Sequence, residues 1–422
     1  MTRLYDTYSR ALVELPAPPG PVRMYFCGPT VYARAHIGNA RPFVVGMWMR
    51  SWLKATGYDV TLVHNITDVN DKIYEAAPGA SAALAEQATA WYLEDTGDLG
   101  LGMPDLMPRV TELVPEIVDF ISKLVDRGFA YAVDGDVYYR VGRFPEYGRL
   151  SGQRPEQVEE QEPNALKEDP RDFALWKATK EGEDTSWPSP WGQGRPGWHI
   201  ECSVMAEQTL GEEFEIHGGG LDLVFPHHEN ELAQSRALGH PFAQVWAHNG
   251  MLRFTGEKMS KSVGNIATIR EVLEEYGRET VLVFFLGGHW RKPIDFSLDT
   301  MAQAAAQAEG FRNVFRGPSE PGGDWDAFVS ALDDDFNTPE ALALMHEWRD
   351  HELLRRALAI FGLDSLGERD EAPPEIVELA ERRVEARAAR DFETADALRE
   401  EIEAAGWEMR DEPGGFTLVP KR

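Results

Sequence analysis

The sequence predicts an α/β fold, and three observations support it. Residues 23–65 follow a strand, helix, strand pattern: apolar Met24 to Phe26, a helix from Ala40 to Thr56, then apolar Val60 to Val63. Such a βαβ unit indicates a parallel sheet. The strand pattern returns at Phe214–Ile216 and near Val245–His248. A long helical and then polar stretch separates the two parts. We therefore expect a Rossmann-like, doubly wound parallel sheet with an inserted subdomain.

The later segments follow in order. Helical patterns run through 269–275, 298–315 and on to about 363, Gly317–Gly323 is a candidate linker, and Asp391 is a candidate N-cap in a final helical pair. A Pro-Gly-Gly turn at 413–415 predicts a terminal β-hairpin. The predicted domains are 1–75 with 171–265 as two halves of the sheet domain, 76–170 as the insertion, 266–316, 324–366 and 375–422.

Composition excludes several classes of protein. At 422 residues and 43% hydrophobic content, the chain can bury more than one core. The longest apolar run, Val281–Leu286, is far below the roughly 20 residues of a membrane span, so we expect no membrane partner and a cytoplasmic location. Two cysteines argue against a secreted disulfide scaffold. The net charge of -29 favours solubility and is an unusual background for a nucleic-acid partner.

The stretch from Cys27 to Pro42 predicts a phosphate site beside a possible metal ligand. A strand, a tight turn and a helix beginning just after His36 would direct unpaired backbone N–H groups and the helix dipole at an anion. His36 and Asn39 are three positions apart and would face that anion together. Cys27 lies just upstream, at the end of the strand.

A second candidate site lies in the segment His227-His-Glu-Asn-Glu231. On a helix, His227 and Glu231 point the same way, as two ligands of one metal must. If Cys27 and Cys202 join them, two thiolates, an imidazole and a carboxylate form a set that suits Zn²⁺. The alternative is that both cysteines are structural and the segment is a solvated helix start. Spacing alone leaves both interpretations open.

Three further features are weak when taken singly. Lys258 and Lys261, in the loop Lys258-Met-Ser-Lys-Ser262, could neutralise a departing polyphosphate or could be ordinary surface lysines. Gly218, Gly219 and Gly220, with Asp222, could bring bare backbone against a nucleotide and a carboxylate against a ribose, or could form a simple turn. Trp198 could line a substrate pocket or belong to the core.

Taken together, the motifs give the chain a clear resemblance to the cysteinyl-tRNA synthetases, a family of class I aminoacyl-tRNA synthetases. The first signature stands as His36-Ile-Gly-Asn39 and the second as Lys258 to Ser262. Between them, in the family's order, are the blocks 65–72, 197–202 and 218–231. Leu332–Leu344 and Asp391–Arg399 resemble the helical anticodon-side region. The resemblance extends from about Leu4 into this C-terminal part.

The resemblance implies a function and a set of residues. Cysteine is activated with ATP to cysteinyl-adenylate and transferred to the 3′ end of tRNA-Cys, with Mg²⁺ accompanying ATP and no separate editing domain. One Zn²⁺ per chain would be held by Cys27, Cys202, His227 and Glu231. Cys27, Thr67 and Trp198 would contact the substrate cysteine. The phosphates and adenosine would be bound by Gly28, Thr30, His36, Asn39, Gly218, Gly219, Gly220, Asp222 and Lys261, and catalysis would use His36, Asn39, Lys258 and Lys261.

The same resemblance assigns roles to the predicted domains. Residues 266–316 would contact the tRNA stem, 324–366 would form the anticodon-side helical domain, and the protein would act as a monomer. The sequence departs from the family's pattern at Asn70, where an aspartate is common, and in a shortened segment between Leu344 and Leu363. Two alternatives are weighed: the cysteine ligase of mycothiol biosynthesis, which joins cysteine to glucosaminyl-inositol, and a non-catalytic synthetase paralogue.

Overall fold

The computed structural model describes residues 1–154, 164–254, 267–368, 372–412 and 415–420. Its strands, in chain order, are β1 (Arg3–Asp6), β2 (Ala11–Glu14), β3 (Pro21–Phe26), β4 (Asp59–His64), β5 (Ala130–Val133), β6 (Asp136–Tyr139), β7 (Phe173–Ala178), β8 (Trp187–Ser189), β9 (Gly192–Pro196), β10 (Glu213–Gly220), β11 (Phe242–Asn249), β12 (Leu252–Phe254), β13 (Ile294–Phe296), β14 (Trp407–Glu412) and β15 (Gly415–Pro420).

The helices of the first half are α1 (Ile37–Ala55), α2 (Asp71–Ala76), α3 (Ser81–Gly97), α4 (Val114–Asp126), α5 (Trp198–Leu210) and α6 (Glu229–Ala237). Those of the second half span Ile269–Tyr276, Arg278–Leu286, Leu298–Arg316, Trp325–Asp333, Thr338–Glu347, His351–Ile360, Pro374–Ala388 and Phe392–Ala404.

A parallel sheet in the order β11-β10-β3-β4 carries the site. The predicted βαβ unit is confirmed as β3, α1 and β4. Helix α1 lies close to the sheet because Gly46 has no side chain: a Cβ there would approach the Phe26 ring to 3.2 Å. Since all four strands are parallel, their carboxyl ends meet at one edge, where ligands bind in open α/β sheets.

The insertion is built around an antiparallel sheet in the order β5-β6-β7-β9-β8. The predicted single strand over 130–141 is in fact a hairpin, because Asp134 and Gly135 adopt positive φ values of 49° and 89° and turn the chain. The predicted helical stretch 76–128 is likewise interrupted between α3 and α4. Strands β7 to β9 continue this sheet to Pro196, so the antiparallel part runs past the predicted boundary at residue 170.

The chain forms two compact units. The first comprises Met1–Val314 with Pro318–Leu366, so the predicted helical domain 324–366 lies in the same compact unit as the sheet domain. One connection is Trp48 of α1, whose indole N–H donates to the Phe361 carbonyl at 3.0 Å.

Asn70, where the family pattern commonly has an aspartate, caps helix α2 by accepting from the Lys72 amide, which any short polar side chain could do.

The second unit comprises Phe315–Gly317 and Gly367–Arg422. The predicted helical pair is confirmed, with Asp391 accepting from the Thr394 amide as the N-cap, and so is the antiparallel hairpin β14–β15. Its small core contains Ile376, Ala380, Ile402 and Met409. Within the part of the chain that the structure describes, we find no helix long and apolar enough to cross a membrane.

Candidate active site and metal centre

A cavity of about 540 Å³ opens at the carboxyl edge of the parallel sheet. It begins where β3 ends at Phe26 and where β10 ends at Gly220. Most of the residues predicted to bind substrate line it: Cys27, Gly28, Thr30, His36, Asn39, Thr67, Trp198, Cys202, Gly220, Asp222 and His227. Gly218, Gly219 and Glu231 lie behind this surface and are buried. Lys258 and Lys261 lie outside the described residues.

At one end of the cavity, the predicted metal ligands Cys27, Cys202, His227 and Glu231 come together. Their ligand atoms all lie within 4.8 Å of one another. The side chains are almost fully buried, from 0% exposed for Glu231 to 6% for Cys27. His227 Nε2 lies 3.2 Å from Glu231 Oε1, and Cys27 Sγ lies 3.9 Å from the same oxygen. The four residues are therefore arranged so that they could hold one metal ion.

Three elements bring these ligands together across the chain. Cys27 directly follows β3, and Cys202 lies in the second turn of α5. His227 lies in the turn Val224–His228, whose backbone is extended at Phe225 and then becomes helical and leads into α6 and Glu231. Because His227 and Glu231 are an i, i+4 pair on continuous helical backbone, they face the same side. Contrary to the solvated alternative for this segment, His227 to Glu231 are all buried.

A second set of ligand atoms overlaps the first. Cys27, His217, His228 and Glu231 also lie within 4.8 Å of one another. Cys27 Sγ is 3.3 Å from His228 Nε2 and 3.6 Å from His217 Nε2. The sequence analysis missed both histidines. His217 could have been suspected, since it ends the apolar part of β10, and His228 because it neighbours His227. Since the two sets share Cys27 and Glu231, they describe one centre and not two.

The charges of this cluster fit a cation. Burial, with Cys202 and Glu231 nearby, raises the pKa of the Cys27 thiol, and burial raises the pKa of Glu231 well above its usual range. Burial lowers the pKa of His227 well below 6.5, so its ring is neutral and has a lone pair to donate. Glu231 Oε2 is buried and lies 3.2 Å from His217 Nε2, and among the described residues no group donates a hydrogen bond to it. A cation would reverse the shifts of the thiol and the carboxylate, and the donor set suits Zn²⁺.

Aromatic and imidazole groups surround the cluster. The Trp198 ring stacks on His227 with centroids 4.3 Å apart, so Trp198 reaches both the metal centre and the open cavity. His199 Nδ1 lies 3.1 Å from His227 Nδ1. His228 Nδ1 lies 2.7 Å from His248 Nε2, and His248 Nδ1 in turn lies 2.7 Å from the Thr7 hydroxyl. Such outer partners fix the orientation of imidazole ligands.

At the other end of the cavity lies the start of α1, where the sequence predicts a phosphate site. His36 is the N-cap, and its backbone N–H donates to Asn39 Oδ1 at 3.3 Å. The amide of Ile37 donates to the Ala267 carbonyl, so this first N–H of the helix is not directed at a ligand. Burial lowers the pKa of His36, and Asp222 partly offsets this. Gly38 leaves room for the His36 ring, which a Cβ would approach to 2.9 Å.

The three glycines lie at the end of β10 and not in a turn. A Cβ on Gly218 would come within 2.5 Å of the Phe26 ring, and one on Gly219 within 3.1 Å of the His228 ring. Close packing against these rings therefore requires glycine at both positions. Asp222 follows in a short 3₁₀ turn, Leu221–Leu223, and lines the cavity.

Arg41 is a site residue that the sequence analysis missed. It is 1% exposed, and its guanidinium donates to the carbonyls of Gly250, Met251, His289 and Lys292. Burial lowers its pKa to about 10. Arg41 thereby ties helix α1 to the segments that precede β12 and β13. Its place two residues after Asn39, in the continuation of the first signature, could have drawn attention to it in the sequence.

Comparison with known proteins identifies two domain families. A family model described as the tRNA synthetases class I (C) catalytic domain matches residues 14–306, and a model of the DALR domain matches residues 327–363.

Similar full-length sequences carry one name. The chain is 45% identical to a cysteine–tRNA ligase from Alkalilimnicola ehrlichii, with 95% of this chain and 96% of the relative covered. It is 44% identical to a cysteine–tRNA ligase from Pseudothermotoga lettingae, with 99% of each covered.

Similar solved structures show the fold alone, because identity is low. A methionyl-tRNA synthetase of Mycobacterium tuberculosis superposes with a TM-score of 0.56 at 15% identity, covering 82% of this chain and 88% of that chain. A LeuRS of Agrobacterium radiobacter gives a TM-score of 0.57 at 11% identity, covering 84% and 86%.

Proposed function

This chain belongs to the cysteine–tRNA ligase family of class I tRNA synthetases, and from this premise we propose how its residues divide the reaction between them. The protein is an aminoacyl-tRNA synthetase that charges tRNA-Cys with cysteine. The observation that supports the division of roles is the buried Cys/His/Glu cluster at one end of a cavity whose other end is a helix N-terminus.

Cys27, Cys202, His227 and Glu231 would hold one Zn²⁺ per chain. When bound, this borderline-soft Lewis acid would favour the thiolate of cysteine over the hydroxyl of serine. The second set, with His217 and His228, shares two of these ligands and serves as the surroundings of the same centre. His217 and His228 are neutral because burial lowers both pKa values, that of His217 to about 3, so they add no positive charge.

The protein residues position the substrate for attack by its carboxylate. Trp198 stacks on His227 and lies over the cavity, where it flanks the substrate side chain, and Thr67 contacts the same cysteine. The carboxylate needs no general base because it is ionised at neutral pH. Its attack on the α-phosphate of ATP depends on alignment and on stabilisation of the charge that develops.

The phosphate end binds ATP. His36 and Asn39, with Gly28 and Thr30 on the preceding turn, hold the phosphates, and Mg²⁺ accompanies them. Gly218, Gly219 and Gly220 let the backbone approach the adenosine, and Asp222 accepts from a ribose hydroxyl. Lys258 and Lys261 stabilise the departing pyrophosphate. The tRNA ribose hydroxyl then attacks the cysteinyl-adenylate.

The remaining roles follow the predicted domains. Residues 76–170 and their continuation to Pro196 form the insertion, 266–316 contact the acceptor stem, and 324–366 with 375–422 recognise the anticodon side. We further propose that the protein acts as a monomer in the cytoplasm, where charged tRNA is consumed.

The two alternatives are not favoured. The match to a DALR domain over 327–363 and the coverage of 99% of a cysteine–tRNA ligase agree with a tRNA-charging enzyme. The cysteine ligase of mycothiol biosynthesis acts on an amino sugar and has no use for such a region. A non-catalytic paralogue has no need for a complete ligand set.

The direct test is cysteine-dependent ATP–pyrophosphate exchange by the zinc-loaded protein, followed by charging of a total tRNA pool. We expect exchange with cysteine, at least about 10⁴-fold weaker exchange with serine, and cysteine attached to tRNA-Cys. Absence of exchange would favour the inert paralogue. Exchange without tRNA charging, combined with ligation to glucosaminyl-inositol, would favour the mycothiol enzyme.

A further inference from the structure

A chain of buried hydrogen bonds links the neighbours of the two cysteines. The backbone N–H of Gly28, next to Cys27, donates to Asn65 Oδ1 at 2.9 Å. Asn65 Nδ2 donates to the Thr67 hydroxyl oxygen at 3.3 Å, and that hydroxyl donates to Glu201 Oε2 at 3.2 Å. Asn65, Thr67 and Glu201 are each between 0% and 1% exposed. Glu201 directly precedes Cys202.

The Gly28 N–H group fixes the donor-to-acceptor direction of this series of hydrogen bonds. A backbone N–H can only donate, so the oxygen of the Asn65 amide must face Gly28 and its NH₂ group must face Thr67. The Thr67 oxygen therefore accepts from Asn65, and its single proton faces Glu201 Oε2. Burial raises the pKa of Glu201, and the hydroxyl donates to this oxygen when the carboxyl group is ionised. Among the described residues, the Thr67 hydroxyl is the one group that donates a hydrogen bond to the Glu201 carboxylate.

The orientation of the Thr67 hydroxyl decides what the cavity can bind there. Thr67 lines the cavity together with Cys27, Cys202 and Trp198. Its backbone is fixed as well, since its N–H donates to the Pro29 carbonyl and its carbonyl accepts from the Val31 N–H. With the proton committed to Glu201, the hydroxyl has only a lone pair to offer a ligand. A lone pair selects a hydrogen-bond donor.

Packing alone does not explain a carboxylate at position 201. Glu201 is 0% exposed, and within the described part of the chain its Oε1 has no hydrogen-bond partner. The buried Arg195 attracts the Glu201 carboxylate through its charge but donates its hydrogen bonds to Asp71 and Glu183. An apolar side chain of the same volume would fill the space without the cost of burying a carboxyl group. The acceptor role toward Thr67 accounts for the residue.

We propose that Glu201 is a positioning residue that holds the Thr67 hydroxyl as an acceptor for the α-ammonium group of cysteine. The metal centre recognises the thiol, and the pair Thr67–Glu201 recognises the amino group, so the site distinguishes cysteine from a thiol acid without an amino group. This inference rests on the proposed function, because it assumes that cysteine binds with its sulfur at the metal centre.

The experiment compares two ligands that differ only in the amino group. Calorimetry on the zinc-loaded full-length protein gives the Kd of L-cysteine and of 3-mercaptopropionate for the wild type and for Glu201→Met, which keeps the volume and removes the acceptor. Because Glu201→Met should weaken the hydrogen bond between Thr67 and the charged ammonium group, we expect its cysteine affinity to fall by about 10- to 100-fold. The Kd of 3-mercaptopropionate should change by less than about 3-fold, because that ligand makes no such bond.

Two further variants separate positioning from structure. Glu201→Gln keeps an oxygen that accepts from Thr67, so it should recover most of the cysteine affinity. Glu207→Met is the matched control: Glu207 lies on the same helix α5, has a side chain that is 8% exposed, and accepts from His240 Nδ1 at 2.8 Å outside the cavity. It should leave both Kd values unchanged. All variants should retain the wild-type zinc content.

Several outcomes would overturn the proposal. These are an unchanged cysteine Kd in Glu201→Met, a parallel loss of both ligands, loss of zinc, or failure of Glu201→Gln to recover cysteine affinity. If Glu201→Met does not fold, Thr67→Val replaces it, with the same selective loss expected. Wild-type binding of cysteine without ATP–pyrophosphate exchange would reject the proposed reaction but not this inference. Normal exchange with an unselective Glu201→Met would reject only the inference.

Discussion

The two ends of the cavity are built differently. At the sulfur end, Cys27, Cys202, His227 and Glu231 are 0–6% exposed and are enclosed by other rings. At the phosphate end, Asn39 and Asp222 are exposed and His36 is half-buried. The sulfur end can be rigid because it must discriminate between side chains of nearly equal size. The phosphate end must admit ATP and release pyrophosphate, so its residues face open space.

The largest expected effect is on the sulfur end. Cys202→Ala removes a thiolate ligand, so zinc should be lost, and cysteine activation should fall by more than the roughly 100-fold that the loss of an outer partner costs. Metal analysis and pyrophosphate exchange measure the two losses. Ser203→Ala, the buried neighbour that donates to Gln234, is the control and should keep its zinc. Full zinc content in Cys202→Ala would remove Cys202 from the ligand set.

The phosphate end should respond in rate and not in binding. Lys261→Ala should slow adenylate formation by about 10²- to 10³-fold, because its charge is needed where the leaving group develops charge. The KM for cysteine should change little, since cysteine binds at the other end. Single-turnover kinetics separate the two quantities. Equal losses in kcat and in cysteine affinity would make Lys261 a structural residue.

Replacing Arg41 tests whether its buried contacts with backbone carbonyls stabilise the phosphate end of the cavity. Arg41→Met removes the donor of the buried Lys292 carbonyl and one of the two donors of the Gly250 and His289 carbonyls, so the free energy of unfolding should fall by about 2–3 kcal/mol. Arg50→Met, on the same helix, loses only a partly exposed ion pair with Asp105 and should cost about 1 kcal/mol or less. Denaturant unfolding measures both. Equal losses would contradict a special role for Arg41.

The smallest expected effect is the pH dependence of the free energy of unfolding that comes from His64, which lines the cavity. His64 lies against the Phe26 carbonyl and the Tyr92 hydroxyl, and burial lowers its pKa to about 4. Since the unfolded state binds a proton near pH 6.5 and the folded state does not, stability should fall as pH drops from 6.5 towards 4. At pH 5 this amounts to about 2 kcal/mol. Other buried histidines whose pKa values are lowered, such as His217 and His228, add to the total loss. Urea unfolding of the wild type and of His64→Gln at pH 7 and pH 5 therefore measures the share of His64 as the difference between the two proteins.

Much of the sheet domain was predictable because local patterns encode it. The apolar runs on either side of a helical pattern predicted β3, α1 and β4, and Asp391 was correctly predicted as the cap of the last helix. The hairpin at Asp134-Gly135 was missed although its turn residues were visible. The extension of the insertion to Pro196 could not be foreseen, because strand pairing across the polar stretch is a long-range contact.

The candidate site divides in the same way. His227 and Glu231 were paired by helical spacing, and the family motifs supplied Cys27 and Cys202 as partners, which spacing alone left open. His217, His228, Arg41 and Glu201 were missed, because each acquires its role from residues distant in sequence. Glu201 accepts from Thr67, which is 134 positions earlier in the chain.

The sequence by itself determined the parallel sheet, the order of the motifs and the family, because periodicity and short motifs are local properties of the chain. Tertiary structure alone decided that the Cys27, Cys202, His227 and Glu231 ligand atoms lie within 4.8 Å of one another in a buried cluster. It also decided the direction of the hydrogen bonds from Gly28 to Glu201. The physical reason is that desolvation and hydrogen-bond direction depend on which distant groups the fold places in contact, and no local pattern encodes that.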